Sequence, residues 1–157
     1  MCIVIDTNAL AHVFNQNCKG HQDFEPVRKW VIEGEGRVVY GGTKYKEELL
    51  KAYRFLRLFR RLKDARRACE IKEDMVNAEY LRLEQATKGT GCNDQHIIAI
   101  FVVSGCRLFC SCDSRSDKYI RDKSLYPKGH PRPSIYRSHD HKHLLSRKYI
   151  VRLRNVA

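Results

Sequence analysis

Residues 2–5, Cys-Ile-Val-Ile, form an unbroken apolar run rich in β-branched side chains, and the run stops abruptly at Asp6-Thr7-Asn8. A strand with no polar side chain has no face to give to water, so it reads as a buried strand of a parallel sheet. The three polar residues after it are all helix-capping types, and Ala9 to Phe14 supply the helix they would start. A buried strand that runs straight into polar residues makes a short polar ledge at the end of a sheet.

The same unit recurs along the chain. After a polar loop at 15–24, Pro26 is expected in the first turn of a short helix carrying Val27, Trp30 and Val31, stopped by Gly34 and Gly36. Val38-Val39-Tyr40 reads as a second strand, closed by Gly41-Gly42. Thr43 then caps a long helix expected to reach about Cys69, with Ala52, Phe55, Leu56, Phe59 and Leu62 as its apolar stripe. A further amphipathic helix is expected at 72–86 through Met75, Ala78, Leu81 and Leu83. Asp94 precedes a strongly apolar helix that ends at Gly105, and Arg107 to Cys112 read as the next strand, with Asp113 at its end. A short helix near 117–125, a loop from Pro127 to Pro133 and a last edge strand at Ser134-Ile135-Tyr136 complete the pattern. Strands alternating with helices predict an α/β fold, a three-layer α/β/α sandwich around a short parallel sheet. In such sheets ligands bind beyond the carboxyl ends of the strands.

A chain of 157 residues with 43% apolar side chains suits a single domain with a real core. Its 30 basic residues against 18 acidic ones leave a net charge of +12, which favours a polyanionic partner such as nucleic acid. Seven cysteines at irregular spacing do not make a disulfide framework, and the opening Met-Cys-Ile-Val-Ile-Asp has no basic lead, so no secretory leader is expected. No apolar run approaches the roughly 20 residues of a membrane span. These features together predict a cytoplasmic protein with reduced thiols and no membrane partner.

Four carboxylates, one of them either Glu47 or Glu48, fall at element ends on one rim. Asp6 leaves the first strand, Glu47 and Glu48 lie early in the helix after the second, Asp94 opens the apolar helix, and Asp113 ends the following strand. Each alone suits a humbler role: Asp6 and Asp94 as helix caps, the glutamates as surface acids near a helix start, Asp113 in a turn. Together they would repel one another unless a cation neutralised them, and a hard divalent ion such as Mg²⁺ is the simplest neutraliser. A metal of that kind activates water and polarises a phosphodiester, so the constellation points to phosphodiester hydrolysis.

Ile5-Asp6-Thr7-Asn8, Glu48-Leu49, Asn93-Asp94 and Ser111-Cys112-Asp113 resemble the PIN domain family of nucleases, over about residues 1–125. Residues 126–157 are then a basic extension that completes or flanks the same domain. The resemblance implies a flattened PIN-like α/β/α sandwich and an endoribonuclease dependent on Mg²⁺ or Mn²⁺. It makes Asp6, Asp94 and Asp113 the metal ligands and adds Glu48 to the catalytic set, preferred over Glu47 because the family's glutamate commonly precedes a leucine. Thr7 or Asn8 would orient Asp6 or a metal-bound water. Many PIN domains carry a second aspartate two residues after the strand-end one; this chain has Arg115 there, and Asp117 is the nearest substitute. The family also suggests partners: RNA, an acidic antitoxin where the protein is a toxin, or a second copy in a homodimer.

Lys51, Arg54, Arg57 and Arg61 follow one another along the long helix as a ridge that would track RNA phosphates, with Tyr53 nearby for stacking. The tail adds Arg137, Lys142, Arg147, Lys148, Arg152 and Arg154. Cys110-x-Cys112 and His139-x-His141-x-His143 raise a zinc reading, but neither has the spacing of a usual knuckle. No spacing supports a Cys–His nucleophile, and His96 is expected on the helix surface or behind the carboxylate site.

Overall fold

A computed structural model describes residues 1–146 and 151–157. Five strands form one parallel sheet: β1 (Cys2–Ile5), β2 (Arg37–Gly41), β3 (Ala68–Ile71), β4 (Leu108–Cys110) and β5 (Ser134–Tyr136), in the order β3-β2-β1-β4-β5. Between them run α1 (Leu10–Phe14), α2 (His21–Ile32), α3 (Thr43–Lys51), α4 (Tyr53–Asp64), α5 (Glu73–Ala86), α6 (Gln95–Ser104) and α7 (Asp117–Ile120). The architecture is the expected three-layer α/β/α sandwich. Every residue of β1 is buried, as its composition demands, and so are Ile97 to Phe101 of α6. Among the described residues no helix is long and apolar enough to cross a membrane.

The chain builds outward from β1 through β2 to β3, then returns across α5 and α6 to add β4 and β5 on the other side. The reversal opens a crevice at the carboxyl ends of β1 and β4, the place where open α/β sheets take their ligands. Pairing there is tight: Ile5 faces Cys110 in register, and the Asp6 N–H donates to the Cys110 carbonyl at 2.9 Å, one residue beyond the strand. From the side, the buried Tyr45 hydroxyl donates to the Ile5 carbonyl at 2.6 Å and pins the strand end.

Several boundaries differ from those expected of the sequence. The single helix expected from Thr43 to about Cys69 is two helices and a strand. Ala52 leaves helical geometry (φ −107°, ψ 57°) and separates α3 from α4. On a straight helix Leu49 and Phe55 would stand about 120° apart, at ~3.6 residues per turn; the break lets Leu49 of α3 and Phe55, Phe59 and Leu62 of α4 all enter the core. Arg66 then turns the chain with a left-handed φ of 57°, and Ala68–Ile71 becomes the edge strand β3. Glu70 on β3 accepts from Lys46 and Lys63 at 2.9 and 2.7 Å. A short strand with a charge in it gave no alternating signal.

Helix α2 starts at His21, inside the expected loop, and Pro26 is its sixth residue rather than part of its first turn. The 72–86 helix is present, but its buried face is Val76 and Leu83 with Tyr80 packed beside them; Met75 and Leu81 are exposed, and Ala78 is not part of the core. Strand β4 keeps only Leu108–Cys110 of the expected Arg107–Cys112. The expected 117–125 helix is the single turn α7 plus a separate 3₁₀ turn at Lys123–Leu125, capped by Asp122. Beyond residue 125 the chain contributes β5 as the last edge strand, and Val156 bridges Ile71 on the opposite edge.

Candidate active site

Asp6, Asp94 and Asp113 line one cleft of about 490 Å³, joined by Asn8, Asn93 and Arg115. Three separate segments bring the carboxylates there: the exit of β1, the start of α6 and the turn after β4. Glu48 and Asp117 do not line it, nor do any of Lys51, Arg54, Arg57 and Arg61.

Asp6 is 7% exposed, an unusual depth for a carboxylate. It caps the 3₁₀ turn at Thr7–Ala9, though the Asn8 N–H reaches Oδ1 only at 3.5 Å. Its other oxygen lies 3.5 Å from the Ser111 hydroxyl. Burial pushes this carboxyl up to about 6; the charges of Asp94 and Glu48 push the same way, against the Asn8 N–H and His96. Asp94 stands at the N-cap of α6, yet its side chain makes no capping hydrogen bond. Its backbone carbonyl serves the helix instead, accepting from Ile97 and Ile98. The carboxylate is therefore left to the cleft, where burial and then the negative charges of Asp113 and Glu48 raise its pKa against the positive influence of His96 and Arg115.

Asp113 is different. Its oxygens accept from the Arg115 guanidinium at 2.7–3.0 Å and from the Arg115 backbone N–H at 2.9 Å, and these bonds hold its carboxyl down to about 2. Arg115, at the position where the resemblance would put a second aspartate, neutralises the first. Asp117 does not replace that aspartate: both its oxygens are taken by Arg137, at 2.6 and 2.7 Å. The same pair removes Arg137 from the set of tail cations free to hold RNA.

Glu48 is separated from Glu47 by geometry. Glu47 is exposed, whereas Glu48 Oε2 accepts from Thr7 Oγ1 at 3.0 Å and lies 3.2 Å from His96 Nε2. Burial opposes the Glu48 charge, but His96 and then Thr7 hold its pKa below the usual glutamate value. Thr7 thus bonds to Glu48 rather than to Asp6. His96 is buried behind the carboxylates, not on the helix surface, and its Nδ1 has no partner among the described residues. Ser111 was not foreseen from the sequence: buried at the end of β4, it accepts from the Asp113 N–H at 3.1 Å while its hydroxyl faces Asp6. A serine between two cysteines carries no signal of such a role.

The donors facing the cleft are oxygens, and the two carboxylates without a cationic partner are the ones with raised pKa. That set suits a hard divalent cation. Among the described residues no three His, Cys, Asp or Glu side chains form a ready-made metal cage. One or two carboxylates with water or substrate oxygens in the remaining positions is the habit of Mg²⁺.

The expected basic ridge is divided at Ala52: Lys51 ends α3, while Arg54, Arg57 and Arg61 are exposed on α4, with Arg54 stacked on Phe55 at 4.9 Å and Tyr53 76% exposed. The zinc motifs do not assemble. Cys110 is buried in β4, but the strand ends there and Cys112 is exposed, so the two do not share a face. His141 Nδ1 is spent as a cap, accepting from the backbone N–H of Arg137 and Ser138 at 3.0 and 3.3 Å. Arg147 and Lys148 of the basic tail lie outside the described residues. Compared with known proteins, the chain matches no protein-family model, no curated protein and no solved structure.

Proposed function

We propose that this chain is a divalent-metal-dependent endoribonuclease of PIN type, hydrolysing RNA phosphodiester bonds in the cleft between β1 and β4. The observation that carries the reading is the convergence of Asp6, Asp94 and Asp113 from three segments on one cleft at the sheet's reversal point, with Asp6 and Asp94 held as uncompensated acids. In this reading Asp6 and Asp94, with Asp113 once Arg115 gives it up, would hold Mg²⁺ or Mn²⁺, which when bound would polarise the phosphate and activate water. The chain's own groups do the rest. Asn8 and Asn93 offer amides to the substrate, and Lys118 presents a cation to its phosphates. Glu48 acts without lining the cleft, its charge bearing on Asp6 and Asp94 and its own position fixed by Thr7 and His96.

The net charge of +12 and the basic ridge on α3 and α4 favour RNA as partner. Seven free cysteines fit a reducing compartment, and the reading therefore extends to the cytoplasm. An acidic protein such as an antitoxin suits the same basic surface, and a homodimer is proposed on the resemblance alone.

A second reading has one specific observation in its favour. The Arg115–Asp113 pair fills the charge gap that a metal would otherwise fill, which suits a catalytically degenerate module that binds RNA or protein. The test is cleavage of a mixed single-stranded and structured RNA pool in Mn²⁺, beside EDTA and an Asp6→Asn/Asp94→Asn variant. Cutting that needs metal and vanishes in the variant supports the nuclease. RNA bound with equal affinity in all conditions and never cut moves the conclusion to the binding module.

A further inference from the structure

At the other end of α6 from Asp94 lies a second cavity, of about 380 Å³, formed by the end of that helix, Arg107 ahead of β4, the Pro127–Pro131 loop and the segment Val151–Arg154. Its lining contains four cations, Arg107, Lys128, Arg152 and Arg154, and no acid. None of the four makes an ion pair among the described residues. Arg154 closes the C-terminal end of α6: its backbone N–H donates to the Ser104 carbonyl at 2.9 Å, and its guanidinium reaches the Val102 carbonyl at 3.4 Å. Arg107, Lys128 and Arg152 have no such side-chain bond among the described residues. Like charges gathered around a concavity repel one another, and no acid of its lining compensates them.

His130 braces the wall of this cavity. Its ring is stacked on Tyr126, with centroids 5.4 Å apart, and its Nδ1 lies 2.9 Å from the Pro131 carbonyl. Its Nε2 is closed to solvent, so the polar groups open to a ligand are the cations, which suit a phosphate.

We propose that this cavity is a second, non-catalytic binding site for the phosphate backbone of RNA, with Arg107, Lys128 and Arg152 on phosphate. Helix α6 separates it from the cleft by about 15 Å, at ~1.5 Å per residue. Helix α6 is itself buried, so an RNA gripped here reaches the carboxylates only by passing over the surface around that helix. The inference rests on the RNA reading of the cleft for the ligand's identity, but not on cleavage.

The test is binding of a labelled 12-nucleotide single-stranded RNA, and of DNA of the same sequence, to the full chain in EDTA across a salt series. Arg107→Glu/Arg152→Glu should weaken RNA binding at least about tenfold and make the slope of log affinity against log salt shallower by about 1.4, two contacts at ~0.7 each. Lys19→Glu/Arg28→Glu, with the same change in net charge, should cost clearly less. Arg107→Gln/Arg152→Gln repeats the comparison should the reversal variant not fold. DNA should lose affinity in parallel, since the contacts are to phosphate. A loss no greater than that of the control pair overturns the proposal. Absence of Mn²⁺-dependent cutting alone would sink the nuclease reading and leave these binding results standing.

Discussion

His96 Nε2 lies 3.2 Å from Glu48 Oε2 although the residues are 48 positions apart, and Thr7 reaches the same oxygen from the exit of β1 at 3.0 Å. One carboxylate oxygen therefore ties α3, α6 and the first turn together. Replacing it by Glu48→Gln weakens both contacts and should cost about 1–3 kcal/mol at neutral pH. Because the folded glutamate has a lowered pKa, its contribution is fully present above its unfolded value of about 4.5 and is lost as pH falls through the folded value. Urea unfolding should show wild type and variant well separated at pH 7 and converging toward pH 3. Curves equally separated at both would refute the ionic part of the argument.

Asp6 runs the other way. Its carboxyl is raised from 3.8 to about 6, so between those values the fold holds a proton that the unfolded chain has released. Stability then falls as pH rises through that window, by at most about 3 kcal/mol. In EDTA, Asp6→Asn should flatten that fall and be the more stable protein at pH 7. Added Mn²⁺ should stabilise wild type and leave the variant unmoved. A variant with the same pH profile as wild type would show that Asp6 carries no such strain.

Arg115 competes with any cation for Asp113. In Arg115→Ala the Asp113 carboxyl should rise from about 2 toward its ordinary value, and Mn²⁺ should bind more tightly, on the order of tenfold, the effect that one pKa unit carries. Mn²⁺ titration followed by electron paramagnetic resonance reads this directly. Unchanged affinity would remove Asp113 from the proposed metal ligands.

The α4 ridge predicts a salt effect rather than a catalytic one. Arg57→Glu/Arg61→Glu should weaken single-stranded RNA binding and make its salt dependence shallower by about 1.4 in slope. Cleavage of RNA already bound at saturating concentration should persist. An unaltered slope would make the ridge an ordinary solvated helix face.

The sequence was most informative where one physical demand dominated. Cys2 to Ile5 and Ile97 to Phe101 had no polar face to misplace, and both are buried. Asp6, Asp94 and Asp113 were legible because each closes or opens such an apolar run, which fixes it to the rim. Ala68–Ile71 was invisible as a strand because it is an edge with Glu70 bonded to two lysines, and only its pairing with β2 defines it. The bend at Ala52 was equally hidden, since alanine is a strong helix former and tertiary packing, not propensity, breaks the helix there. Arg115 stood in plain view, but that it closes on Asp113 depends on the turn at Ser114–Ser116. His96 and Ser111 needed the fold, because their partners lie 48 and 105 positions away.

The central place of β1 sets a schedule for synthesis. The earliest strand of the sheet to leave the ribosome ends at Ile5 and keeps one side open until β4, which begins only at Leu108, arrives to pair with it. Contacts of such span make for slow folding and a period in which an apolar strand edge is bare to other chains. The same delay postpones the candidate site. Asp6 meets Ser111 and Asp113 only after their stretch has been translated and docked, so a nascent chain holding all the earlier residues still lacks a cleft. The cleft shared by the three aspartates therefore exists only once nearly the whole sheet does.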